Sequence, residues 1–317
     1  MCRIVLSIVI PVYNVEPYIK RCLDSVVSLP IYDYEIIIVN DGTKDRSIEI
    51  IKQFIPENNN IVIIDQENQG LGEARNTGLR HAKGEFVYFL DSDDYINSSA
   101  FQALFNKKLP DVDVIIGDYN IEKNNSITQG SYKIETNTDI QSNGVSFFLQ
   151  FYRKNINTMV WRSIYRRQFL ISNNLFFIKG IFHEDLNWTP KVILKANKIL
   201  YSPISFYYYQ IRLGSIINSN LTEKKFYDQL CAYSDLQSIV DEYPSNVQRE
   251  ISYITIVGML VVLGRFWKIV DRCKIKADLK KLMTCNCSHF FMVDILRRLF
   301  LTFPFYIGTL LNAKYGN

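Results

Sequence analysis

No stretch of this chain reaches the roughly 20 uninterrupted apolar residues that a membrane-spanning helix needs, so an integral membrane protein is not expected. An excess of charge is lacking too. Lys and Arg number 36 against 32 Asp and Glu, and a formal net charge of +4 is too mild to imply nucleic-acid binding, although it suits anionic substrates or an anionic membrane face. Cysteine is sparse and scattered (Cys2, Cys22, Cys231, Cys273, Cys285, Cys287). Only Cys285 and Cys287 are close, at a spacing too tight for the usual zinc pair, which leaves unpaired thiols in a reducing cytosol as the expectation. The glycine fingerprint of dinucleotide sites and the P-loop spacing are both missing, because Pro11-Val12-Tyr13-Asn14 follows the first apolar run. That excludes a nicotinamide oxidoreductase and argues against a nucleotidyltransferase, which would carry a basic, glycine-rich loop there. The run up to Tyr13 is also short, β-branched and stopped by Pro11 with no small-residue cleavage pattern, so it reads as a buried strand rather than a secretory signal.

What is present is an ordinary globular mix, 48% hydrophobic and 21% charged over 317 residues. Continuous apolar runs at Leu6 to Ile10, Glu35 to Val39, Ile61 to Ile64 and Phe86 to Leu90 read as buried strands. Amphipathic segments separate them, at Val15 to Val27, Asp45 to Phe54 and Gly72 to Ala82. Such alternation predicts right-handed crossovers, a mainly parallel sheet and helices on both faces. Each run ends in polar residues: Pro11 to Asn14, Asn40-Asp41-Gly42, Asp65 to Asn68, and Asp91-Ser92-Asp93-Asp94. In a parallel sheet these tips share the edge where open α/β folds bind ligands.

Beyond Asn106 the pattern weakens. Val112 to Ile116 predicts a further strand, 124–143 a hairpin or loops, Val145 to Tyr152 a helix, and the tyrosine-rich Ile199 to Gln210 a last strand. Residues 221–317 read as helices with apolar positions such as Ile254, Met259, Val262 and Phe266. The expected domains are therefore 1–219 and a helical 220–317.

Chemistry concentrates at the tips. Three carboxylates within Asp91-Ser92-Asp93-Asp94 repel one another unless a cation or strong hydrogen bonds compensate, and Mg²⁺ or Mn²⁺ commonly takes one or two carboxylates together with substrate phosphates. The bland alternative is an acidic N-cap on a helix from Tyr95 to Leu104; beside the other tips, the metal is favoured. Asp41 either accepts from a nucleobase or caps a helix with help from Gly42, and Tyr13 either stacks on that base or packs in the core. Arg75, in the helix opened by Gln69-Gly70-Leu71-Gly72, either reaches a phosphate or pairs with the acidic tip. His183-Glu184-Asp185 offers a general base or only an acidic helix start.

Taken together, Ser7 to Asn14, Asn40 to Thr43, Gly70 to Asn76, and Gly84-Glu85-Phe86 running into Asp91 to Asp94 resemble the family-2 glycosyltransferases, inverting enzymes of the GT-A fold. The resemblance covers residues 4 to about 100 and returns from Trp161 to Ser215. It implies a nucleoside pocket lined by Pro11, Tyr13 and Asp41, with a divalent ion (Mn²⁺ or Mg²⁺) held by Asp93 and Asp91 helping through the ribose or a water. It further implies Asp185 as general base with Glu184 in reserve, and Arg212 and Ser215 on the diphosphate. The implied partners are a nucleotide-sugar donor, a UDP-sugar first, and a saccharide or lipid-linked saccharide acceptor. Processive relatives carry Gln-x-x-Arg-Trp, which does not occur here, so transfer of a single sugar is expected. Arg297 and Arg298 among Leu299, Phe300, Phe303 and Phe305 suit either an anionic lipid surface or packing on the core or on a second chain as a homo-oligomer. A cytoplasmic protein, peripheral on the inner membrane face, follows. The rival from another class is a non-catalytic nucleotide-sugar or scaffold protein that keeps the fold.

Overall fold

A computed structural model describes residues 4–107, 111–124, 126–152, 158–212 and 220–269. By internal contacts the chain divides into two compact units, Met1–Gly180 with Trp188–Ser215, and Ile181–Asn187 with Ile216–Asn317. Nothing in the sequence marks the excursion by which 181–187, carrying Glu184 and Asp185, joins the helical unit.

The first unit is built on a ten-stranded mixed sheet. Strands β1 (Leu6–Val12), β2 (Tyr34–Asp41), β3 (Ile61–Gln66) and β4 (Phe86–Phe89) are parallel, with β1 between β2 and β4 and β3 outside β2. All seven residues of β1 are buried, as expected of a strand covered on both faces. Alternation sorts its side chains: Leu6, Ile8, Ile10 and Val12 join a core with Ile19, Cys22 and Leu23 of α1 (Glu16–Asp24) and Ile51 of α2 (Ser47–Lys52). Val9 points to the opposite face and meets Gly78 of α3 (Leu71–His81), where an added Cβ would stand 2.1 Å from Val9 Cγ1. That close approach seats α3 directly on β1, and Arg75, one turn earlier on the same helix face, is carried with it.

After β4 the chain forms the short strand β5 (Tyr95–Ile96) and then α4 (Ser98–Phe105), whose N-cap is Asn97 accepting from the Ala100 amide at 2.9 Å. Asp91 to Asp94 therefore do not cap a helix starting at Tyr95, and the bland alternative for the acidic tip falls. Next come β6 (Val114–Lys123), which runs well past the expected Ile116, and β7 (Ser126–Gln129), which closes a hairpin on it. The predicted helix over 145–152 begins as an α-helix at Gly144–Phe147 and continues as a π-helix at Phe148–Tyr152. A strand not foreseen, Ser163–Arg166 (β9 with Ile140–Ser142 as β8), inserts antiparallel between β4 and β6. Its basic and aromatic composition hides the period of two. The last strand, β10 (Ile199–Gln210), runs parallel to β6.

Gly144 lies where an added Cβ would be 1.9 Å from the Ile193 carbonyl oxygen and 2.6 Å from that of Ala196. Backbone cannot yield as a flexible side chain can, so Gly144→Ala is expected to cost about 3 kcal/mol, read as a lowered urea midpoint.

In the second unit Glu223–Gln237 packs against Ser245–Phe266 through Phe226, Leu230, Met259, Val262 and Phe266. Ser245–Phe266 has 22 residues and a mean hydropathy of 1.4 in its most apolar window, enough to cross a membrane by length and composition. Gln248, Arg249 and Glu250 interrupt its apolar run, so it does not supply the uninterrupted stretch of about 20 apolar residues, and half of that window is buried, as in a core helix. Ser215 and the apolar run 290–311 with Arg297 and Arg298 lie outside the described residues.

Candidate functional site

The polar tips of β1 and β2 are laced to one another. The Asn14 amide donates to Thr43 Oγ1 at 2.7 Å, and the Thr43 amide donates to Asn40 Oδ1 at 3.0 Å. Asn14 itself has a φ of 52°, a left-handed conformation that asparagine tolerates better than most residues. Beyond the buried Pro11, Tyr13 at the tip of β1 is 46% exposed and is thus not a core residue.

Asp41 is buried, and three donors converge on it. Oδ1 accepts from Gln66 Nε2 at 2.7 Å and from the Gln69 amide at 2.8 Å, and Oδ2 accepts from the Gly70 amide at 3.0 Å. Gly70, at φ 87°, turns the chain into α3. Asp41 therefore fixes the entry to α3, not the start of α2, and still has capacity for another donor, since an ionised carboxylate offers about four lone-pair sites.

At the tip of β4 the carboxylates have arginine partners. Arg75 Nη2 lies 2.6 Å from Asp91 Oδ1, and Arg75 is only 3% exposed, its guanidinium over the Phe177 ring. Arg75 thus sits on the acidic tip, not at the surface. Arg212 Nε lies 2.6 Å from Asp93 Oδ2, with its guanidinium 4.9 Å from the centre of the Tyr18 ring. Asp94 is buried and accepts from the Tyr207 hydroxyl at 2.5 Å and from the Gln210 amide at 2.7 Å, which ties the end of β10 to the acidic tip.

The negative potential of the cluster shows in its neighbours. Burial first, then the charges of Asp93 and Asp91, push the Asp94 carboxyl well above the usual carboxylate range. Burial and the same three aspartates push the Tyr209 phenol up to about 12. Tyr207, Trp161 and Tyr209 form a stack, with ring centres 4.0 Å apart for Trp161 and Tyr207 and 5.9 Å for Trp161 and Tyr209. These aromatic residues and Tyr18 were not legible as site residues, although the alternation Tyr207, Tyr209 in a strand was a usable signal.

Among the described residues no group of three or more His, Cys, Asp or Glu side chains is arranged to encage a metal ion. A Mg²⁺ or Mn²⁺ ion shared with a bound phosphate needs fewer protein ligands, and the donor set fits that kind of site. Asp93 is 22% exposed at its side chain and carries a cation already, the Arg212 guanidinium.

Glu184 and Asp185 belong to the second unit. Glu184 is buried, whereas Asp185 is half-buried and opens the helix Asp185–Lys195. His183 before them has a φ of 60°, and the Phe182 amide donates to Asp228 Oδ2 at 3.0 Å, holding the turn on the helical unit.

Comparison with known proteins agrees with this architecture. GlyA, a glycosyltransferase of Streptococcus pneumoniae serotype 4, is 34% identical over 220 residues, which is 67% of this chain but only 31% of GlyA. S. aureus TarS, solved in complex with UDP-GlcNAc, matches with a TM-score of 0.72 over 99% of this chain and 90% of its own at 21% identity. The mannosyltransferase PcManGT of Pyrobaculum calidifontis, in complex with GDP-Man and Mn²⁺, matches with a TM-score of 0.52 at 13% identity, covering 100% of this chain and 88% of its own. At those identities the two structures speak to the fold, which is the GT-A type with a helical C-terminal region. The sequence profile of Glycosyl transferase family 2 matches residues 7–172, just over half of the 317 residues. This chain belongs to glycosyl transferase family 2.

Proposed function

We propose that the protein transfers a single sugar, with inversion, from a nucleotide-diphosphate sugar to an acceptor hydroxyl. The observation that carries this is the gathering of an exposed ring, a bonded carboxylate and two arginine-paired carboxylates at the ends of three adjacent parallel strands. Tyr13 stacks on the base, Asp41 accepts from it, and Pro11 closes the wall behind. Arg75 sets the orientation of Asp91, which meets the ribose. Asp93, with Asp91, would hold Mn²⁺ or Mg²⁺, which when bound neutralises charge on the departing diphosphate. Arg212 and Ser215 contact the same diphosphate. TarS with UDP-GlcNAc supports a UDP-sugar as the first donor to test, and PcManGT with Mn²⁺ supports the ion.

Asp185 takes the proton from the acceptor hydroxyl, and the oxygen attacks the anomeric carbon opposite the leaving group, so configuration inverts in one displacement. Its half-buried place at a helix start favours it over the buried Glu184. The acceptor is a saccharide or lipid-linked saccharide of surface polysaccharide assembly, met at the inner face of the membrane.

One observation favours the non-catalytic alternative: Asp91 and Asp93 are each neutralised by an arginine. A thermal-shift screen of UDP, GDP, CDP and dTDP with and without Mn²⁺ tests the donor site, and sugar transfer to an acceptor with the diphosphate-sugar so found separates the two readings. One diphosphate with Mn²⁺ is expected to raise the melting temperature by about 5 °C or more at saturating concentration, and Asp93→Ala to erase the metal-dependent part. No shift with any nucleotide would remove the donor assignment.

A further inference from the structure

We infer that Arg212 is a placeholder cation, which occupies Asp93 until a nucleoside diphosphate draws it away and leaves the carboxylate to a divalent ion. This rests on the assignment of Asp93 as an ion ligand and deepens it, because it says that ion and nucleotide bind as a pair.

The two arginines of the acidic tip are not equivalent. Arg75 is sealed, with 3% of its side chain exposed, and the tight seat of α3 on β1 holds it at Asp91. Arg212 and Asp93 are 19% and 22% exposed, so water reaches both partners. A pair open to solvent exchanges at low cost, whereas removing one partner of a buried pair leaves a desolvated charge behind. Arg212 also lies beyond the end of β10, two residues after the Gln210 amide that bonds to Asp94. While Arg212 is bonded to Asp93, its guanidinium also lies 4.9 Å from the centre of the Tyr18 ring, which helps to hold it there.

A divalent ion on Asp93 would face a guanidinium nitrogen 2.6 Å from the same carboxylate, so the two cations compete. The planar fork of a guanidinium matches a phosphate as well as a carboxylate, and a diphosphate offers it the more strongly charged partner. Moving Arg212 to the diphosphate therefore satisfies the arginine and frees Asp93 in one exchange. The ion's apparent affinity without nucleotide is reduced by the fraction of time that Arg212 holds the carboxylate, and a nine-tenths occupancy weakens it about 10-fold.

The test is Mn²⁺ titration of the full chain, followed by the electron paramagnetic resonance of free Mn²⁺, with and without the diphosphate that gives the largest thermal shift. Wild type is expected to bind Mn²⁺ weakly alone and much more tightly with nucleotide. Arg212→Ala is expected to bind Mn²⁺ alone about 10-fold more tightly than wild type and to lose most of the gain from nucleotide. Tyr18→Leu, which loosens the guanidinium at Asp93, should move the same way by a smaller factor, and adding Asp93→Ala to Arg212→Ala should abolish the tight site. If wild type binds Mn²⁺ with nucleotide, but both single variants leave nucleotide-free affinity unchanged or weaker, the placeholder is overturned while the ion assignment stands. If no variant and no wild-type sample binds Mn²⁺ under either condition, both fall.

Discussion

Asp185→Asn is expected to lower the transfer rate by about 10³-fold while leaving donor binding intact, because an amide cannot accept the acceptor's proton. Asparagine keeps the shape of aspartate and still suits the start of the helix Asp185–Lys195, so the fold of the helical unit should survive. Two measurements check this: sugar transfer under saturating donor, and the nucleotide-dependent thermal shift. Glu184→Gln is the control, since Glu184 is buried and Asp185 is not. If Asp185→Asn turns over normally and Glu184→Gln does not, the roles are reversed. If both are normal, neither residue is the base.

The second large effect concerns stability. Arg162 is 1% exposed and donates from Nη2 to Asp118 Oδ1 at 2.7 Å and from Nε to the Gly117 carbonyl at 2.7 Å. The Tyr201 hydroxyl donates to the same Asp118 oxygen at 2.9 Å. Asp118→Ala removes the counter-charge of a guanidinium that water does not reach, and leaves the buried Tyr201 phenol with the longer of its two bonds to acceptors, that to the Ile134 carbonyl at 3.3 Å. A loss of about 3–5 kcal/mol follows, seen as a lower urea midpoint with the slope unchanged. The double change Asp118→Leu with Arg162→Met should recover much of it, because replacing both charges by packed apolar groups avoids the stranded cation. An Asp118→Ala protein as stable as wild type would show that the pair contributes nothing.

How much of this was legible in the sequence depended on the range of the interaction. Strands β1 to β4 and their polar tips were readable because a strand buried on both faces is apolar without interruption and a sheet edge is polar at once. β1, β2 and β3 ran two residues further than expected, since Pro11, Val12 and Asp41 belong to strands that the apolar runs alone end too early, whereas β4 stopped one residue short of Leu90. The acidic tip was found and Arg75 was offered to it as one of two readings, but Arg212 was not placed there. Asp93 and Arg212 stand 119 residues apart, and only the antiparallel insertion of β9 and the return of β10 bring them together. Composition hid that insertion, because Ser163–Arg166 carries an arginine and a tyrosine where an interior strand is expected to be aliphatic. The assignment of 181–187 to the helical unit was equally hidden, since it depends on contacts such as that of the Phe182 amide with Asp228.

The clamp of Gln210 and Tyr207 on Asp94 has one more consequence. It anchors the chain two residues before Arg212, and two residues of extended backbone span about 7 Å. An arginine released from Asp93 is thus leashed rather than lost. Its local concentration around the acidic tip stays in the millimolar range or above, so recapture after product departure needs no diffusion from bulk and can be fast at each turnover.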